Sequence, residues 1–468
     1  MRIKTMSIDL SWAWQPYRPD DENPWDLKKA GHLYRRAAFG ANVRQLDDAV
    51  AAGPEKTIAA LLSGGAGIEA FNRQVADMAG SLDLNSEEEL RAWWLYRILQ
   101  SPFPLQVRLT LFWHNHFATS NAKVRNLRFM LGQNELLRRN ALGSFRTMLE
   151  EISKDPAMMV WLDTSLSKKG TPNENYSREL MELFSLGIGN YTEQDVREGA
   201  RAFTGWQIAD GKFHLNGGQH DNGEKTFLGQ QGNWGGEDIV RICLEQEAAP
   251  YFIAGKLFRF FISDTIEPTR ELLKPLAGRF RESDYDLRGL VETLLRSNLF
   301  FSPHAYRTQV KSPVDFAVGI VHGLEGHVGA APLAVALEGL GQRLFSPPSV
   351  KGWLGGTTWI NSTTLLLRHN LALALTSTQD NRFTRVQIDP VTVVRKYGKK
   401  TDEQIVDFFV QLFLQNDLAA DARSSLLDYL ANARKQPYPD YWTDQDQEEH
   451  RIRAVCHLLL TQAEFQLN

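Results

Sequence analysis

From Ala30 the chain reads "AGHLYRRAAFG", "NVRQLDDAVAAG" and "PEKTIAALLSGG", three amphipathic stretches that each end on glycine. Glycine behind an apolar repeat of about 3.6 residues marks a helix end, because it enters the left-handed region at little steric cost. Three such units back to back leave no room for strands between them. The chain is thereby committed to packing helix on helix.

The same texture returns in "EEELRAWWLYRIL" and in the stretch after Pro104, where Leu105, Leu109, Phe112 and His116 share one helix face. A further helix is expected over residues 134–152, capped by Asn134. Helical patterns resume at about Asp238 and continue to "EEHRIRAVCHLLLTQAEF" near the C-terminus. Two stretches break the pattern. Residues 205–236 are rich in Gly and Asn and read as a β-hairpin or long-loop insertion, and residues 345–362 form a Gly/Pro/Trp-rich loop. The expected fold is mainly α, a multi-helix globular domain over residues 31–468 behind an extended arm of residues 1–30. Sub-units 31–204 and 237–468 would be joined by the 205–236 insertion.

Composition bounds the partners. The 468 residues are 43% hydrophobic and 23% charged, with a net charge of -4. That allows a core of normal size and gives no basic footprint for nucleic acid. Two cysteines, Cys243 and Cys456, exclude a Cys-rich zinc module and a disulfide framework, leaving two buried thiols or one long-range bridge. No apolar run approaches the roughly 18 residues of a membrane span. Neither does the first stretch carry the apolar run of a signal peptide, so a cytoplasmic location is expected on that ground.

The candidate chemistry lies in a few polar clusters. In "TPNENYSRELMELFSLGIG", Thr171, Pro172 and Glu174 suit a capped helix start, while Asn175, Arg178, Glu179 and Glu182 fall on one stripe. Glu179 and Glu182, one turn apart, have the form of an acid–base pair or a hard-cation site, with Arg178 and Asn175 beside them. The alternative is a solvated face with an ordinary ion pair. In "FWHNHF", His114 and His116 share a face only on a strand; on a helix they diverge by ~200°. "QHDNGEKTFLG" gathers His220, Asp221 and Lys225 around a turn, as ion ligands or a proton relay, or simply as a hairpin tip. His114, His116 and His220 are therefore the candidate ligands of a divalent metal. Trp353 and Trp359 suit stacking on sugar rings or anchoring their loop. Arg35 and Arg36 suit an anion, or bracing against the glutamates of the 171–189 helix.

Five stretches, "HLYRRAAFG", "RLTLFWHNHFATS", "NENYSRELMELFSLGIGNYTEQDVREGARAFTGW", "HDNGEKTFLG" and "SPPSVKGWLGGTTWINSTTLLLRHN", together resemble the bacterial family catalogued as domain of unknown function 1800. The resemblance implies an uncharacterised activity, export from the cytoplasm and a sulfatase-like partner protein. It also implies that the polar residues above, which fall inside the family's motifs, belong to a shared site. The expectation is an enzyme, a hydrolase or group transferase acting on a carbohydrate or other polymer. The competing expectation is a non-catalytic binding or assembly protein braced by polar networks.

Overall fold

The computed structural model describes residues 8–377 and 388–468. Among these the architecture is mainly α, and β structure is confined to two antiparallel two-stranded sheets. The first three helices follow their local signals. Leu27–Ala38 starts on Asp26, Val43–Ala52 on an Asn42/Gln45 capping box, and Pro54–Ser63 with proline in its first turn. Gly53 and Gly64 close the second and third with φ of 83° and 73°. At the end of the first helix it is Phe39, φ 63°, that takes the left-handed position ahead of Gly40. Its ring is buried, and burying a Phe yields about 1.5–3 kcal/mol, enough to offset a left-handed residue at roughly 1–2 kcal/mol.

Two helix expectations are corrected. Residues 134–152 form parts of two helices, Leu127–Asn140 and Phe145–Ser153, because Asn126 and Ser144 each cap a start; Asn134 is buried in mid-helix. The segment opened by Thr171 starts later than its sequence signals. Thr171 bridges to Lys168, Glu174 makes no side-chain cap, and the helix runs Asn175–Glu179 before widening into a π-helix over Leu180–Ser185. The Leu186 amide donates to Met181 O (2.9 Å) and Ser185 Oγ to Leu180 O (2.5 Å), both five residues back. The wider turn rotates the residues after it away from a 3.6-residue stripe.

The 205–236 insertion is two hairpins. β1 (Trp206–Ala209) pairs with β2 (Lys212–Leu215), and β3 (Lys225–Phe227) with β4 (Gln230–Gly232). Asp210 and Gly211 both have positive φ, the Asp-Gly turn that matches strand twist. The described part of the arm lies on the body. Trp14 Nε1 donates to Leu272 O (2.6 Å) and the Tyr17 amide to Arg296 O (2.7 Å), whereas residues 1–7 lie outside the described residues.

Buried apolar side chains form two clusters. One draws on residues from Ala13 to Ala305, the other on Phe39, helices between Val75 and Met130, and the chain from Val314 onward. The helix Pro104–His116 serves both: Leu105, Leu109 and Trp113 enter the first, Val107 and Leu111 the second. Cys243 and Cys456 are free, buried and in different clusters, so they form no bridge.

Candidate functional site

A cleft of about 360 Å³ opens along this shared helix. Arg108, Leu111, Phe112, Asn115 and His116, at spacings that repeat one helical face, form one wall. Lys256, Arg259 and Phe260 come from the helix Ala248–Phe261, followed by Asp264. Asp315 comes from the first turn of Pro313–Gly323, and Lys351, Trp353 and Trp359 from the Gly-rich loop.

The loop is clamped to the helix by Asn115. Its Oδ1 accepts from the Trp353 amide (2.6 Å), and its Nδ2 donates to Trp353 O (3.2 Å). Gly352, φ 76°, sits so close that any Cβ would strike the Asn115 side chain and carbonyl. Trp353 and Trp359 are both largely buried, so they anchor the loop while lining the cleft.

Four cationic side chains line the cleft, Arg108, Lys256, Arg259 and Lys351, against two carboxylate side chains, Asp264 and Asp315; Asn468 shares the lining, and Arg259 also pairs with Glu267. Arg108 is buried and bonds Asp315 through Nη1 alone, leaving Nε without a partner. Burial works to raise the Asp315 carboxyl, but Arg108 and Ser312 outweigh it and bring it below the usual range. At Asp264 burial wins, and the carboxyl is raised despite Arg36 nearby. Lys256 makes no hydrogen bond or ion pair among the described residues; its ammonium rests 5.2 Å from the centroid of the Phe252 ring. Burial, and then the charge of Arg259, push it down to about 8.

The sequence candidates separate into groups. His116 lines the cleft, its Nε2 3.1 Å from Phe184 O and its Nδ1 without a partner. His114 is also buried and packs edge-on against Trp94 at 4.9 Å. Burial lowers both imidazoles, His114 to about 3. Being on a helix, the rings point into different aromatic groups. His220 is in the hairpin region, with Nδ1 2.8 Å from Thr204 O. The three histidines therefore do not form one metal centre, and among the described residues no group of three His, Cys, Asp or Glu is placed to hold an ion.

Asp221 pairs with Arg201 (2.9 Å), which lowers its carboxyl, and the buried Lys225 donates to the carbonyls of Asp221 (2.6 Å) and Gly223 (3.0 Å). That cluster closes on itself in the connection between the two hairpins, tied to the helix Glu193–Ala202 by Arg201, and not at a hairpin tip. Arg178 pairs not with Glu182 but with both oxygens of Glu193 (2.6 and 2.9 Å) and with Glu174 (3.3 Å). Glu182 accepts from Tyr191 (2.9 Å) and Asn175 donates to Asp163 (3.3 Å). Glu179 keeps no hydrogen bond; burial first and Glu182 second raise its carboxyl, while Lys351 of the cleft acts in the opposite sense. Arg35 reaches Gln415, and Arg36 donates to Ile262 O and Ala305 O (both 2.8 Å). Both are braces, though not against the glutamates expected.

Arg108, Asn115, Lys256 and Asp264 escaped the sequence reading. A signal existed for two of them: Lys256 interrupts the apolar "YFIAGKLF", and Arg108 lies one turn before Phe112 on the stripe. Among the described residues no helix is long and apolar enough to cross a membrane. No curated protein and no solved structure matches the chain. The sequence profile described as "Protein of unknown function (DUF1800)" matches residues 32–467. The match covers nearly the whole sequence, and the chain belongs to that family.

Proposed function

We propose that the protein acts by holding, in this cleft, a ligand that joins a flat ring to an anionic group, an acidic or sulfated sugar being the carbohydrate form. The observation that carries the reading is the surplus of cations over carboxylates on a cleft walled by Phe112, Phe260, Trp353 and Trp359. Aromatic faces take rings, and partly desolvated cations take carboxylate, phosphate or sulfate. Hydrolysis or group transfer on such a ligand, or on a polymer built of it, is the catalytic form of this proposal. Its support is the raised carboxyl of Asp264 on the cleft wall, which suits a general acid; Glu179, raised as well, is outside that lining and feels the charge of Lys351. The non-catalytic form, a binding or assembly protein working with a sulfatase-like partner, draws support from the closed polar networks of Arg178 and Asp221.

Titration calorimetry with N-acetylglucosamine 6-sulfate and with unsulfated N-acetylglucosamine tests the ligand class. The sulfated sugar is expected to bind at least about tenfold more tightly, with an affinity that falls as salt rises. Equal binding of the two, or binding unchanged in Lys256→Met, would remove the proposal's basis. Product formation from a sulfated or acidic oligosaccharide, lost in Asp264→Asn, separates the catalytic form from the other.

A further inference from the structure

We infer that Lys256 is a nucleophile, and that its amine captures the carbonyl carbon of an aldehyde or ketone ligand in the cleft as an imine. The inference rests on the cleft reading above and goes further, from holding a ligand to bonding with it.

Three features of its surroundings carry the argument. First, Lys256 lines the cleft, yet among the described residues no carboxylate pairs with it and no acceptor holds its protons. Lysines on protein surfaces keep their proton because water and carboxylates stabilise the ammonium; here both are reduced. Second, its neighbours are apolar or cationic. Phe252 lies beneath it and Arg259 is one turn on in the same helix, while the charge of Lys256 itself is felt at the buried His116 ring. Arg108 and Lys351 are further cations of the cleft wall, and Asp264 and Asp315 its carboxylates. A desolvated lysine beside another cation is the arrangement that frees an amine lone pair at neutral pH. The lowering to about 8 agrees with this. Third, Asp264 lines the same cleft with a raised carboxyl that, among the described residues, no other side chain bonds, so it can give and take a proton there.

The step balances without an oxidant or reductant. The Nζ lone pair forms a bond to the carbonyl carbon as the C=O π pair moves to oxygen. A proton passes from nitrogen to that oxygen, giving a carbinolamine. Protonation of its hydroxyl, with Asp264 as donor, releases water while the nitrogen lone pair forms the C=N bond. The remaining N–H proton then returns to the Asp264 carboxylate. Addition of water reverses every step.

Trapping tests the inference. The whole protein is incubated with pyridoxal 5′-phosphate, an anionic ring aldehyde, then reduced with borohydride and mapped by peptide mass spectrometry. Lys256 is expected to be labelled roughly a hundredfold faster at pH 7 than exposed lysines such as Lys274 and Lys435. Labelling should rise with pH to a midpoint near 8. Labelling of Lys256 no faster than of Lys274 would overturn the inference, and because this reads the unmodified chain, no variant need fold. Lys256→Arg, which keeps the charge, should abolish the fast label with an unchanged circular dichroism spectrum. Two controls separate this inference from the cleft reading. Pyridoxine 5′-phosphate has no carbonyl, so its binding without any trapping of the aldehyde at Lys256 would overturn the imine and leave the cleft reading standing. Selective ethylation of Lys256 by acetaldehyde and cyanoborohydride, with no binding of pyridoxine 5′-phosphate, would support the nucleophile and overturn the anion site.

Discussion

The stripe of Asn175, Arg178, Glu179 and Glu182 and the cleft around Arg108 and Lys256 are both polar, yet they are built in opposite ways. Three of the four stripe residues hold partners in hydrogen bonds of 2.6–3.3 Å, drawn from residues within about twenty positions in sequence. The cleft gathers its groups from separate stretches between Phe39 and Asn468 and, among the described residues, leaves Lys256 and the Nε of Arg108 without hydrogen-bond partners. Paired polar groups hold a fold in place. Unpaired ones beside a cavity retain unused hydrogen-bonding capacity, which a ligand can take up.

The largest expected effect is at Arg108. Arg108→Met leaves Asp315 charged and buried without its cation, and should cost about 3–5 kcal/mol in urea unfolding. Adding Asp315→Leu should restore much of that loss. A cost within the noise of the measurement would mean that the cleft is not held by this pair. Next comes Gly352→Ala, which combines a positive φ with a collision against Asn115. A loss of roughly 1–3 kcal/mol is expected, with a change in tryptophan fluorescence as the Trp353 loop shifts. An alanine that melts like the wild type would deny the clamp.

The stripe should respond far less. Arg178 and Glu193 are both substantially exposed, so Arg178→Ala should move the melting temperature by no more than about 2 °C. A drop as large as that of Arg108→Met would erase the contrast between the regions. Smallest of all is Glu179→Gln, read as a change in pH dependence. The folded carboxyl is raised above its unfolded value, so the folded state keeps its proton longer. Wild-type stability therefore falls as pH rises from about 4.5 through the raised value, and the Gln variant should lack that fall. Parallel stability–pH curves for the two proteins would place Glu179 in open solvent.

The legible part of the site was its loop and its helices. The Trp353 loop, the hairpins and the helix carrying His116 all stood out, because glycine, tryptophan and apolar spacing act over a few residues. The capping box at Thr171 misled, since Asn173 takes over by accepting from the Asn175 amide, and a π turn then reset the stripe. Such a turn leaves no mark in a 3.6-residue pattern. The His-x-His pair shows the reverse case. Its helical setting predicted that the rings diverge, and they do, but burial of both followed from Trp94 and Phe184, far away in sequence.

What this sequence determined by itself is its helical character, its hairpin insertion and most of its helix starts, because those depend on bonds between residues one to four apart. Only the tertiary structure decided which charges are matched and which face a cavity. Arg108 meets Asp315 across 207 residues, and among the described residues Lys256 meets the ring of Phe252 and no carboxylate. Pairing and desolvation are properties of neighbours in space, and the order of residues along the chain does not state them.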